Sequence, residues 1–357
     1  MTTRIYVPAD TTAYALGADE VAAEIVAQAA VRNIDLQLVR NGSRGAFWLE
    51  PLIEVDSDNG RQAFGPVSLG DVAPLFDAGF PSNCDHPLSL GAIDQLSWMT
   101  GQQRLTFARA GVIDPLSLDD YRATGGYTGL DKALAMSAQE IVDAVKESGL
   151  RGRGGAAFPT GIKWQTVLDT PGEQKYIACN ADEGDSGTFA DRLLMEADPF
   201  QLIEGMTIAG LAVGATQGYI YLRSEYPKAR NVLNAALATA REAGYLGKSI
   251  RGSNHDFDIE VRLGAGAYIC GEETSMLDSL EGKRGMVRFK PPLPAIKGLF
   301  QKPTVVNNVL SLGAVSTILA RGAKYYQDFG TGRSRGTLTV QLAGNIKRGG
   351  MVELPFG

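Results

Sequence analysis

Nine residues, Gly149 to Ala157 within SGLRGRGGAAFPTGIKW, hold four glycines and two arginines. Glycine lacks a Cβ, so its N–H can approach a flat or phosphorylated ligand closely, and its φ can turn positive without steric cost. Arg151 and Arg153, with Lys163 downstream, point to an anionic ligand. Residues 152–157, GRGGAA, also satisfy G-x-G-x-x-A, the dinucleotide fingerprint. That fingerprint needs a strand directly before it. Here AQEIVDAVKESG precedes it, with Ile141, Val142 and Val145 at helical spacing and Gly149 where a helix C-cap belongs. The segment is therefore read as a ligand loop of another kind, with a plain structural turn as the alternative.

Asn180, Asp182, Glu183 and Asp185 follow the apolar YIAC, and Glu272 and Glu273 follow GAGAYICG. A solvated loop is the plain explanation of carboxylates. Both clusters, however, stand at predicted strand-to-helix turns, where open sheets bind ligands. Carboxylates there accept bonds from ribose hydroxyls and repel the extra phosphate of NADP. Asn307 and Asn308 are expected at the start of the last long helix, as phosphate-directed amides or as helix caps. Lys290 in RFKPPLP, beside Arg284 and Arg288, adds positive charge. A basic loop beside acidic ones fits a ligand with both phosphate and sugar.

The elements that must position these residues form several blocks. Residues 1–80 read as a small α/β domain of thioredoxin type: strand RIYVP, a helix from Asp19 to Asn33 with Val21, Ile25 and Ala29 on one face, then strands LQLVR and FWLEPLIEV. It has no Cys-x-x-Cys, which excludes thiol redox chemistry or a bound cluster within that block. Residues 81–130 read as a connecting arm of short helices and turns. Residues 131–333 alternate strands and helices, predicting an α/β layered domain with ligands beyond the strand ends. Its helices are expected over Ser137 to Glu147, Phe200 to Ala215, Ala229 to Ala243, through GEETSMLDSLEG and after VVNNV. Residues 334–357 read as two strands and a turn that begin a further β-rich domain.

Composition bounds the reading. In 357 residues, 44% are hydrophobic and 21% charged, as in an ordinary globular protein. No run of 18 uncharged apolar residues predicts a membrane span, and the N-terminus does not read as a secretion signal. A net charge of −6 argues against nucleic acid. Cys84, Cys179 and Cys270 form neither a metal-spaced motif nor a disulfide framework. A cytoplasmic enzyme or enzyme subunit is the expectation.

With these residues assembled, the chain resembles the flavin-bearing, NADH-binding subunit shared by respiratory complex I and soluble NAD-reducing enzymes. The resemblance rests on SGLRGRGGAAFPTGIKW, CNADEGDSGTFADR with LIEGMTIAG, RLGAGAYICGEETSMLDSLEGKRGMVRFKPPLP and KPTVVNNVLSL, in that order. With NGSRGAFWLEPLIEV added, it looks most like the flavin subunit of cytoplasmic, molybdenum-dependent NAD-linked formate dehydrogenase. The resemblance implies a thioredoxin-like domain lacking cluster cysteines, a Rossmann-like FMN/NAD-binding domain and the beginning of a β-grasp domain. It implies FMN held by Gly152, Arg153, Gly154, Lys163, Asn180, Asp182, Glu183, Gly271, Glu272, Asn307 and Asn308. NAD(H) would lie on the exposed flavin face, near Phe158, Asp185, Tyr268, Glu273 and Lys290. No side chain is expected to act as nucleophile or metal ligand.

The chain departs from the family pattern in places. Asp185 stands where a glutamate is usual, and Thr166 and Leu293 replace aromatic residues that help sandwich the adenine, leaving more stacking to Phe158. The family also continues into a domain whose four cysteines bind a 4Fe-4S cluster, so this chain is expected to be an incomplete stretch. The implied function is hydride exchange between NAD(H) and FMN and single-electron exchange with iron–sulfur clusters. The implied partners are an iron–sulfur thioredoxin-like small subunit and a molybdenum-containing subunit that oxidises formate. The alternatives are the same module in complex I or an NAD-reducing hydrogenase, or a non-catalytic nucleotide-binding module.

Overall fold

The computed structural model describes residues 2–82 and 84–357. Its first sheet has the order β2-β1-β3-β4-β5, formed by β1 (Thr3–Tyr6), β2 (Leu36–Val39), β3 (Ile53–Val55), β4 (Gln62–Phe64) and β5 (Ser89–Ala92). β1 and β2 run parallel and the other pairs are antiparallel. Two helices follow β1: α1 (Thr11–Ala15) and α2 (Ala18–Val31). The Asp10 side chain caps α1 by accepting from Thr12 N at 3.0 Å. Val21, Ala22, Ile25 and Ala29 of α2 pack into a core with Ile5, Ile53, Val55 and Phe64, as the helical spacing of α2 requires.

Two expectations change here. FWLEPLIEV is not one strand: Phe47–Leu49 is a 3-10 turn and only Ile53–Val55 pairs. Pro51, which has no N–H to give a ladder, separates the two. The arm from residue 81 also contains β5, which extends the first sheet through β4.

Arm and α/β layer meet through α3 (Leu118–Ala123) and α4 (Thr128–Ala133). Beyond them, α5 (Ala138–Glu147) opens with a Ser137/Glu140 capping box. It ends at Gly149, whose φ of +70° suits glycine in the left-handed region. A helix therefore does precede the glycine–arginine loop, as the sequence predicts. The loop runs into α6 (Thr160–Asp169).

The second sheet is fully parallel, in the order β8-β7-β6-β9: β6 (Tyr176–Ala181), β7 (Gln217–Leu222), β8 (Asp258–Leu263) and β9 (Thr304–Asn308). Its connections carry α7 (Ala190–Ala197), α8 (Pro199–Val213), α9 (Pro227–Glu242) and α10 (Glu273–Leu280); α11 (Val309–Arg321) follows β9. Every residue of α8 is buried, so the helix is apolar around most of its circumference. It lies so close to α11 that a Cβ on Gly205 would come within 2.0 Å of Leu312 O.

The strand order places the site. The chain steps from β6 outward to β7 and β8, then returns to the other side of β6 with β9. The crevice where the winding direction reverses lies at the carboxyl ends of β6 and β9, where Asn180 pairs in register with Asn308. A hairpin of β10 (Thr337–Leu342) and β11 (Gly350–Pro355) packs nearby. Buried Glu353 of β11 accepts from Thr106 N and Phe107 N, both at 2.9 Å, and so ties the hairpin to the arm. Among the described residues no helix is long and apolar enough to cross a membrane.

Candidate functional site

A cleft of about 960 Å³ opens at that reversal point, and all sixteen residues assigned to ligands from the sequence border it. It lies at the top of the range of about 300–1,000 Å³ for small-molecule pockets. The glycine–arginine loop forms one wall. Gly152 N donates to Phe158 O and Thr160 N to Leu150 O, both at 2.9 Å, so the loop closes on itself like a short hairpin. A Cβ on Gly154 would stand 3.1 Å from the Asn308 Cβ, whereas a Cβ on Gly155 would meet nothing within 4 Å. The loop backbone thus presses on the end of β9 and leaves open space beside it. Such a cradle fits a flat ligand carrying phosphate, the shape of FMN.

The arginines do not serve that ligand as expected. The Arg153 guanidinium donates to Arg335 O at 2.7 Å, Arg151 O at 3.0 Å, Tyr326 Oη at 3.0 Å and Thr337 O at 3.2 Å. It also lies 4.7 Å over the Phe356 ring. Arg151 Nε donates to Ala157 O at 2.7 Å. A guanidinium carries five donors, and a glycine-rich loop beside a hairpin offers many carbonyls with no ladder partner. The two side chains therefore brace the wall, and Arg153 lends the cleft its backbone.

Positive charge comes from the lysines instead. Lys163 Nζ donates to Val306 O at 2.7 Å and lies 3.7 Å from Glu273. Lys290 Nζ reaches Glu272 at 3.0 Å and Glu273 at 2.8 Å. Burial pulls the Lys163 ammonium below its usual range, Glu273 opposes that, and Lys290 reinforces it. Arg288 is spent on Asp278, Glu281 and Gly298 O, as a structural tie.

The carboxylates divide by task. Half-buried Asp182 is pushed up to about 6 by burial, against the pull of Arg223. Glu183 accepts from Asp191 N at 3.0 Å, Arg192 N at 3.1 Å and Tyr226 Oη at 3.0 Å, so it caps α7 from the cleft. Glu272 caps α10, accepting from Thr274 N at 2.8 Å and Ser275 N at 3.0 Å. Asp185 accepts from the Tyr268 hydroxyl. Tyr268 and Phe158 are exposed at the cleft mouth, with 69% and 50% of their surface free.

The asparagines take positions of their own. Asn180 Nδ2 donates to Gly271 O at 2.8 Å, joining two loops of the cleft. Asn308 is the helix cap: Oδ1 accepts from Leu310 N at 2.9 Å, and Nδ2 donates to Asp191 at 2.6 Å. Asn307 does not open the helix. It stands within β9, one residue before the cap, and its Oδ1 accepts from Trp164 Nε1 at 2.8 Å.

Sequence reasoning passed over Asp191, which borders the cleft and is driven well above the carboxylate range by burial and by neighbouring Glu183. It passed over Ser311, whose Oγ accepts from Arg153 N at 2.8 Å. It also passed over Leu338, Thr339 and Gln341 of β10, which close one side of the cleft. The aspartate in GTFADR was a signal for the first. Nothing in LTVQL shows which way the strand would dock.

Residues 145–317 match the family model described as Nuo51 FMN-binding domain. The HndC component of the NADP-reducing hydrogenase of Solidesulfovibrio fructosivorans is 51% identical over 256 residues, 72% of this chain and 52% of that protein. A component of the NADH-quinone oxidoreductase of Rhizobium meliloti is 52% identical over 241 residues, 67% of this chain and 57% of that protein. A solved NAD+-reducing [NiFe]-hydrogenase in the H2-reduced state aligns with 99% of this chain and 59% of its own, with a TM-score of 0.62 and 29% identity. The chain spans about half the length of the curated relatives it matches.

Proposed function

From the match of residues 145–317 to the Nuo51 FMN-binding domain, we propose that the chain is a diaphorase subunit exchanging a hydride between NAD(H) and FMN. The observation that carries this is the convergence of all sixteen chosen residues on one cleft at the sheet's reversal point. Gly152, Arg153 and Gly154 hold the flavin by backbone. Lys163 supplies charge, with Asn180, Asp182, Glu183, Gly271, Glu272, Asn307 and Asn308 around the rest. Phe158, Asp185, Tyr268, Glu273 and Lys290 receive the dinucleotide at the mouth.

Bound FMN supplies the conversion between two-electron and one-electron transfer, while the protein supplies orientation and electrostatics. The residues present suit that division of labour. Lys163 and Lys290 offset phosphate charge. Half-exposed Phe158 offers a ring face to a base. Asp182 and Asp185 offer acceptors to sugar hydroxyls, and their negative charge disfavours a 2′-phosphate.

The finer reading is a cytoplasmic formate dehydrogenase complex, in which a molybdenum subunit oxidises formate and a thioredoxin-like iron–sulfur subunit carries electrons to this chain. A cysteine-poor N-terminal block before the flavin domain supports it. A second reading, an NAD-reducing hydrogenase, is favoured by the alignment of nearly the whole chain with such an enzyme. Metal analysis of the complex that co-purifies decides between molybdenum and nickel. The flavin reading itself is tested by colour: the protein reconstituted with FMN should be yellow and bleach on NADH addition. A protein that stays colourless would sink it, and no NADH-dependent ferricyanide reduction would leave a nucleotide-binding module.

A further inference from the structure

One short helix joins the N-terminal domain to the cleft. The first turn of α7 carries Asp191, which borders the cleft, and its N–H groups at Asp191 and Arg192 are held by Glu183. Its last turn carries Glu196 and Ala197, which meet the N-terminal domain instead. An eight-residue helix is about 12 Å of stiff rod.

The far-end contact is close and specific. Glu196 accepts from Thr11 N and from Thr11 Oγ1, both at 2.7 Å. Thr11 opens α1, where a free N–H and the helix dipole both favour a carboxylate. Arg192 donates to Thr12 Oγ1 at 3.3 Å. Phe189, the residue before α7, packs on Phe47 with ring centroids 5.1 Å apart. Gly42 lies so near that a Cβ there would stand 2.3 Å from the Ala197 Cβ and 2.8 Å from its Cα. No side chain other than hydrogen fits between the domain and the helix end.

We propose that the N-terminal domain is a clamp on the cofactor cleft: by gripping α7 at Glu196 and Ala197 through Thr11 and Gly42, it fixes the position of Asp191 and of the Glu183 loop. Glu196 is then a positioning residue acting through the helix, with no contact to ligand. This inference rests on the flavin reading of the cleft, but half of its test does not.

The test uses the whole chain with Gly42→Ala as a wedge, Thr11→Val and Glu196→Ala as lost contacts, Glu196→Gln as the conservative partner and Val31→Lys, on the 78% exposed outer Val31, as control. Hydrogen exchange is followed at Asp191 and Arg192 in flavin-free protein, and FMN affinity by fluorescence titration. Gly42→Ala and Glu196→Ala should speed exchange at both amides and weaken FMN about three- to thirtyfold. Thr11→Val should do so less, Glu196→Gln should keep most of the parent's exchange protection and affinity, and Val31→Lys should do nothing. Unchanged exchange at Asp191 and Arg192 with unchanged affinity in Gly42→Ala and Thr11→Val overturns the clamp. If exchange responds while no variant and no parent binds FMN, the clamp stands and the flavin reading falls.

Discussion

Lys163 and Glu273 face each other 3.7 Å apart across the cleft, and Lys290 reaches the same carboxylate at 2.8 Å. Two ammonium groups thus lean on one acid, so one of them can turn toward an incoming phosphate without leaving a bare buried charge.

Lys163→Met should therefore weaken FMN binding about ten- to a hundredfold, the range for a lost charged hydrogen bond. Fluorescence titration checks it. Unchanged affinity would remove Lys163 from the flavin site.

Asp182 should make FMN binding depend on pH. Its carboxyl is pushed up to about 6 by burial, so it gains charge between pH 5 and pH 7. If ligand hydroxyls donate to it, the ionised form is the better acceptor, and affinity should rise over that interval. Asp182→Asn should flatten the rise, as titrations at pH 5, 6 and 7 would show.

Phe158→Ala should raise the KM for NADH about three- to tenfold with kcat nearly kept, because stacking that holds ground and transition states alike is uniform binding. A matching fall in kcat would give the ring a different role.

Glu50 should make stability fall with rising pH. Burial and nearby Asp10 push its carboxyl up to about 8, against Ser43 and Leu52 N–H. The folded state therefore binds its proton more tightly than the unfolded chain. The stability this contributes is present below the ordinary carboxylate range and is lost as pH rises through about 8. Urea midpoints between pH 5 and pH 8 should fall less in Glu50→Gln than in the parent.

Gly205→Ala should destabilise by about 3 kcal/mol, since its Cβ would meet the rigid Leu312 carbonyl of α11. A melt by circular dichroism checks it, and an unshifted midpoint would mean that α8 and α11 slide apart freely.

Much of this was legible because local chemistry and tertiary need agreed. The Ser137/Glu140 box and Gly149 mark both ends of α5 without help from distant residues. The cleft was legible because carboxylates, asparagines and glycines clustered at strand ends. The arginines misled, because the acceptors for Arg153 lie at Arg335 and Thr337, far along the chain, and residue type alone cannot choose between a ligand and a carbonyl. Asn307 was misplaced by one residue, enough to move it from helix to strand. Thr339 and Gln341, which share one face of β10, were invisible because strand alternation fixes two faces but not which one meets the cleft.

The anchoring of Arg153 bears on where this polypeptide can be cut. Apart from the neighbouring Arg151 O, its side-chain partners Tyr326, Arg335, Thr337 and Phe356 lie beyond residue 317. Buried Glu204 in turn depends on Tyr121, Tyr127 and Leu130, all before residue 145. A fragment trimmed to residues 145–317 would strand one cation and one buried anion at once. The stretch that matches the FMN-binding domain is thus smaller than the network of contacts that holds its buried charges in place.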